Sequence, residues 1–133
     1  MTIANTLSNA TVQHLPQPRH ALHVSHEHRQ DVTYVIVFTL RPGKEEVFLQ
    51  LLHPVLTAMR DEPSFRNAVL HRDPSASNRY MLYESWTDHD EVVQVQVHRP
   101  YRQAFWSALP DLLENDRDVQ VWSPLRGDFV FGG

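Results

Sequence analysis

The sequence predicts an α+β fold in which an antiparallel four-stranded sheet carries its helical elements on one face. Three observations lead there. Short runs rich in β-branched and aromatic residues, bounded by turn residues, mark strands. Two longer stretches repeat apolar residues at helical spacing. The segments follow one another as strand, helix, strand, strand, helix, strand, the order of a split βαβ arrangement.

The most informative strand is residues 78–86, Asn-Arg-Tyr-Met-Leu-Tyr-Glu-Ser-Trp. Alternation puts Tyr80, Leu82, Glu84 and Trp86 on one face and Arg79, Met81, Tyr83 and Ser85 on the other. Both faces carry apolar bulk, so this strand is expected to lie between two layers.

The order of the chain begins with residues 1–30, which hold Pro16 and Pro18, show no sustained period and read as an extension. His14, His20, His23, His26 and His28 in it are either part of a solvated polar arm or nitrogen donors for a metal; no metal is assigned. From Asp31 the apolar parity of Val32, Tyr34, Ile36, Phe38 and Leu40 predicts the first central strand. Arg41-Pro42-Gly43 breaks it. Lys44-Glu45-Glu46 opens a helix with acidic residues where the dipole favours them. Its apolar stripe runs from Val47 to Met59, a kink is expected at Pro54, and Pro63 lies past its end.

Residues 65–72 return to strand character, with Phe65, Asn67, Val69 and His71 on one parity. The turn-rich segment 73–78 predicts an antiparallel hairpin. After Trp86, Thr87 with Asp90 reads as a capping box opening a helix. Val93-Gln94-Val95-Gln96-Val97 alternates like a strand, but the cap, the acidic cluster and the need to cross back over the sheet favour a helix ending near His98. A second helical stretch carries Tyr101, Phe105, Trp106, Leu109, Leu112 and Leu113, with Pro110 in its last turns. Val119-Gln120-Val121-Trp122 closes the sheet.

At 133 residues the chain fits one domain, divided here into an N-terminal extension (1–30), the α+β domain (31–126) and a C-terminal tail (127–133). A net charge of -4 without a basic cluster argues against nucleic acid. No apolar run reaches the roughly 18 residues of a membrane span. The chain has no cysteine, hence no disulfide framework or thiol nucleophile. Together with a first segment unlike a secretory signal, this predicts a cytoplasmic protein. An uncovered sheet face this apolar predicts a homodimer burying sheet against sheet, and Phe129, Val130 and Phe131 offer the partner a further contact.

The pattern resembles the antibiotic biosynthesis monooxygenase domain family over residues 32–121. The residues that carry the resemblance are Arg41-Pro42-Gly43-Lys44-Glu45-Glu46-Val47-Phe48, Arg72-Asp73-Pro74, Arg79-Tyr80-Met81-Leu82-Tyr83-Glu84-Ser85-Trp86, and Arg99-Pro100-Tyr101 through Leu109-Pro110-Asp111-Leu112-Leu113. The resemblance implies a ferredoxin-like protomer, a dimeric α+β barrel and a small-molecule cleft between sheet and helices. It also implies oxygenase chemistry on quinols or phenols without metal or flavin, although the family includes haem-degrading relatives. Trp86 matches the strand-end Trp of the cleft, and either stacks on a flat substrate or caps the core. Glu84 matches the Glu of Glu-x-Trp, and either accepts a phenolic proton or pairs with Arg66, Arg72 or Arg79.

Two departures stand out. Where many members have a helix His this chain has Gln96, which can hydrogen-bond but cannot shuttle protons near neutral pH. His98 lies about 200° further round a helix and reaches that place only if the helix breaks. The family's orienting Asn has no counterpart on this strand; Asn67 on the neighbouring strand is either a substrate contact or a hydrogen-bonded hairpin residue. His53 and His71 are further candidate acid–base groups.

The expected function is a cofactor-independent monooxygenase oxidising a small electron-rich aromatic with dioxygen. Trp86, Glu84 and His98 are the expected catalytic residues, and Asn67, Tyr34, Gln96 and Phe105 the substrate contacts. A dimeric module that binds a small molecule without transforming it is the alternative, and haem degradation a third reading.

Overall fold

In the computed structural model, which describes residues 31–130, the sheet is built outward from β1 (Val32–Thr39). Its partners are β3 (Ala76–Trp86) on one side and β4 (Asp118–Trp122) on the other, with β2 (Phe65–Asp73) beyond β3, all antiparallel. Helices α1 (Glu45–Met59), α2 (His89–Gln94) and α3 (Gln103–Leu112) complete the predicted order. The histidines of residues 1–30, and Phe131, lie outside the described residues.

Alternation decides what each strand buries. Tyr34, Ile36 and Phe38 of β1 and Tyr80, Leu82, Glu84 and Trp86 of β3 lie on the buried parity, where Phe48, Leu52, Val55 and Met59 of α1 and Phe105 and Leu109 of α3 join them in the core. Rings of Phe38, Phe48, Tyr80 and Phe105 meet at centroid distances of 5.1 to 6.1 Å, tilted or edge-on as aromatic quadrupoles prefer. The other face is less covered: Val69, Tyr83 and Trp122 are 49%, 38% and 58% exposed.

Gly43, with φ of +80°, makes the turn after β1 that a side chain at that position would strain. Helix α1 continues as one element through Pro54, where a kink was expected. Pro54 and Gln50 both lie on its exposed side, so the carbonyl deprived of its partner meets water.

Three local readings are corrected. The hairpin is tighter than residues 73–78 suggest: Asp73 pairs directly with Ala76, and the Asp73 carboxylate accepts the backbone N–H of Ser75 at 2.8 Å. The register of β2 slips between Phe65 and Asn67, a bulge that leaves Arg66 unpaired and sends Phe65 to the helix side, away from the parity of Asn67. The cap of α2 is Asp88 rather than Thr87. Asp88 is extended, and its carboxylate accepts the N–H groups of Asp90 and Glu91 at 2.9 and 3.4 Å, whereas the Thr87 N–H is bound to the carbonyl of Ser64. Helix α2 ends at Gln94, and single 3₁₀ turns over Gln96–His98 and Pro100–Arg102 carry the chain to α3.

Asp88→Ala should therefore cost about 1 kcal/mol in urea denaturation, while Thr87→Ala changes the midpoint much less. Equal losses would place the cap elsewhere.

Candidate active site

Glu84 and Trp86 leave the same face of β3 near its end, inside an apolar layer that has to accommodate their polar atoms. The indole N–H of Trp86 donates to Glu84 Oε1 at 2.8 Å. Trp86 is fully buried, with the edge of Phe65 at 5.2 Å and the guanidinium of Arg102 over its ring at 5.7 Å. Tyr34 sits directly across the sheet from Glu84, and its hydroxyl lies 2.7 Å from His89 Nδ1. Arg117, just before β4, lies over the ring of Trp106 at 5.0 Å.

Tyr34, Glu84, Arg102 and Arg117 are the polar residues lining a cavity whose remaining wall is apolar, with Leu52, Met59, Phe105 and Trp106 among it. Its free space is about 30 Å³, enough for one or two waters and far below the several hundred Å³ of a drug-sized pocket. The side chains around it thus leave little room between them.

Burial, then the carboxylate of Glu84, pushes the Tyr34 phenol well above its ordinary range, so it stays protonated. Burial lowers His89, against the opposing pull of Asp90 and Asp88. A protonated phenol beside a neutral imidazole fixes the polarity of the pair: Tyr34 donates, Nδ1 accepts, and the imidazole proton sits on Nε2. That Nε2 is buried and has no hydrogen-bond partner among the described residues. Burial also brings Arg117 down to about 10.

Among the residues expected at the site, Tyr34, Glu84 and Phe105 line the cavity. Glu84 forms none of the expected ion pairs: Arg66 pairs with Asp31 and Arg79 with Asp73, while Arg72 lies over Tyr80. Register explains this, because Arg79 is on the opposite parity and Arg72 pairs near the far end of β3. Trp86 stands behind the cavity wall with its N–H engaged by Glu84. Gln96 is fully buried but turned into a different network, donating to Glu91 at 2.9 Å and facing the Tyr101 hydroxyl at 3.4 Å. Tyr101 donates in turn to Glu62, which Arg99 grips with two bonds of 3.0 and 3.1 Å. His98, His53 and His71 are exposed and outside the cavity lining. Asn67 lies on the open sheet face opposite Ser85, its Oδ1 buried without a partner among the described residues. The same residues contain no cluster of three or more His, Asp or Glu side chains arranged to hold a metal.

The sequence profile of the antibiotic biosynthesis monooxygenase family matches residues 31–105. The chain belongs to that family. It is 29% identical over 98 residues to GME11364 of Pestalotiopsis microspora, provisionally named a monooxygenase, covering 73% of this chain and 82% of the relative. The structure of PA3566 from Pseudomonas aeruginosa superposes with a TM-score of 0.68 at 22% identity, covering 77% of this chain and all of the other. SnoaB, a cofactor-independent oxygenase from Streptomyces nogalater, superposes with a TM-score of 0.62 at 22% identity over 74% of this chain and 96% of its own. At these identities the two structures establish the ferredoxin-like α+β fold within the antibiotic biosynthesis monooxygenase family, and no more than the fold.

Sequence reasoning missed His89, Arg102 and Arg117. His89 falls in the acidic run Asp88-His89-Asp90 and resembles a surface residue until the cap at Asp88 turns the first residue of α2 toward Tyr34. The arginines sit in connecting segments where no periodicity marks a buried position.

The pKa of His89 is lowered on folding, so protonation favours the unfolded chain. Its stabilising contribution is complete above the unfolded value of roughly 6.5 and is lost as pH falls through the folded value. From about pH 8 to about pH 5 the melting temperature of the native protein should fall more steeply than that of His89→Gln. Parallel curves would show that His89 is not the buried, neutral group described.

Proposed function

We propose that this antibiotic biosynthesis monooxygenase family member oxidises a small electron-rich aromatic, a quinol or polyphenol, with dioxygen and without a cofactor. The observation that carries the reading is the Tyr34–His89 hydrogen bond at the cavity wall. A phenolic substrate donates its proton to the Tyr34 oxygen as Tyr34 passes its own to His89 Nδ1. Neutral His89 can accept that proton near neutral pH, and Asp88 and Asp90 favour the imidazolium once it forms. The resulting phenolate is rich enough in electrons to reduce dioxygen in a dry cavity. One oxygen atom enters the ring and the other leaves as water, with the substrate supplying every electron. Glu84 and Phe105 shape the wall, and Trp86 positions Glu84 from behind.

The cavity, with about 30 Å³ of free space, is too small for an aromatic ring. Entry therefore requires the segment between α2 and α3, held by single 3₁₀ turns rather than a continuous helix, to move outward. The protomer is proposed to pair through its open sheet face, where Val69, Tyr83 and Trp122 present apolar surface that a second copy would cover.

Oxygen uptake with a panel of reduced quinols should exceed the enzyme-free rate for at least one substrate, and Tyr34→Phe should lower that rate by roughly a hundredfold. Uptake equal to the blank across the panel would overturn the oxygenase reading; a quinol that raises the melting temperature and is recovered unchanged would leave a binding module. In sedimentation equilibrium the protein should have twice the 15.5 kDa chain mass, and Met81→Asp on the open face should return it to one. A native monomer would refute the pairing.

A further inference from the structure

The walls of the cavity carry an imbalance of charge. Two guanidinium groups, Arg102 and Arg117, line it against a single carboxylate, Glu84. The three residues are 7%, 8% and 5% exposed, so water screens none of them well. Glu84 already accepts the Trp86 indole N–H, and Arg117 has carboxylates of its own, since Asp116 first and then Glu84 oppose the lowering of its pKa by burial. Arg102 has no carboxylate of its own in the lining. Its guanidinium lies over the rings of Trp86 and Tyr101, at 5.7 and 5.5 Å, and bonds the Tyr101 side chain, while its Nε is buried without a hydrogen-bond acceptor among the described residues. A buried cation with an unsatisfied donor and no carboxylate of its own in the lining calls for an anionic acceptor.

We infer that Arg102 and Arg117 receive a carboxylate of the substrate, so that the aromatic this protein takes is an aromatic acid. The inference rests on the reading that the cavity is the substrate site. A carboxylate fits on three counts. Its planar pair of oxygens matches the guanidinium fork. Its size matches a cavity of about 30 Å³, which holds a head group while the ring waits on movement of the α2–α3 segment. Its charge is permanent. The phenolate of the oxidation exists only after proton transfer to the Tyr34–His89 pair and would leave the cation uncompensated while the substrate binds.

The test compares hydroquinone, gentisic acid (the same ring with a carboxylate) and the methyl ester of gentisic acid by anaerobic titration calorimetry on the full chain. Gentisic acid should bind at least tenfold more tightly than the ester or hydroquinone. Arg102→Met should erase the preference for the acid over the ester, both measured on the variant, and Arg102→Lys should restore part of it. If Arg102→Met does not fold, the acid-to-ester comparison on the native protein decides alone. An ester that binds as tightly as the acid, or no binding by any of the three, overturns the inference. Oxygen uptake separates it from the catalytic reading: a preference for the acid without oxygen consumption keeps the carboxylate subsite and removes the oxygenase, and consumption of hydroquinone without a preference does the reverse.

Discussion

The hydrogen bond from the Trp86 indole to Glu84 is the constraint on which the site depends. A carboxylate placed between a sheet and its helices must be bonded or it destabilises the layer, and a bond to a charged acceptor contributes roughly 1.5–3 kcal/mol. Supplying it from two residues along the same strand fixes the indole plane at the end of β3, and that plane then decides its neighbours. Arg102 covers one part of the ring and Phe65 meets it edge-on. Phe65 reaches it only because the bulge at Arg66 returns that end of β2 to the helix side. An irregularity in the edge strand, a ring contact and a buried cation thus follow from one polar group in an apolar layer.

The segment after α2 resolves a conflict written into its sequence. The alternation of Val93, Val95 and Val97 favours a strand, while the chain must cross the sheet. The compromise is one short helix and two single 3₁₀ turns that bury Val92, Val93 and Val97 and leave Val95 39% exposed. Gln96 is driven inward by the same geometry and is satisfied by Glu91 and Tyr101. Anchorage through Tyr101 and Arg99 to Glu62, beyond the end of α1, holds the segment by polar contacts more than by a continuous helical ladder. Such contacts are exchangeable with water, which makes this the part of the cavity wall suited to opening.

Strand order, helix α1 and the shared face of Tyr80, Leu82, Glu84 and Trp86 were legible because alternation and helical spacing are properties of a single segment. So was Tyr34, which the parity of β1 assigns to the interior. What periodicity could not give were features decided between segments. The bulge at Arg66 depends on the register with β3. The cap at Asp88 depends on Thr87 being engaged by Ser64. The burial of Arg102 and Arg117 depends on rings supplied by Trp86, Tyr101 and Trp106. Glu84 was read on the correct face with the wrong partners, because face is local and partnership is not.

Gln96 stands where the family resemblance implies a histidine, and His98, on the same single 3₁₀ turn, is exposed and outside the cavity lining. The pair Tyr34–His89 reaches the cavity from a different direction. Tyr34 cannot itself be the base, because burial and Glu84 keep its phenol protonated. It can only pass a proton on. His89 has the complementary property: burial empties it of a proton, while Asp88 and Asp90 at the start of α2 pull its pKa the other way. The Asp88 carboxylate that caps α2 therefore also helps an imidazolium form one residue later. For the proposed oxidation, in a small and largely apolar cavity, this division of labour suits a step in which a phenolic substrate would lose a proton that the pair holds until oxygen has reacted.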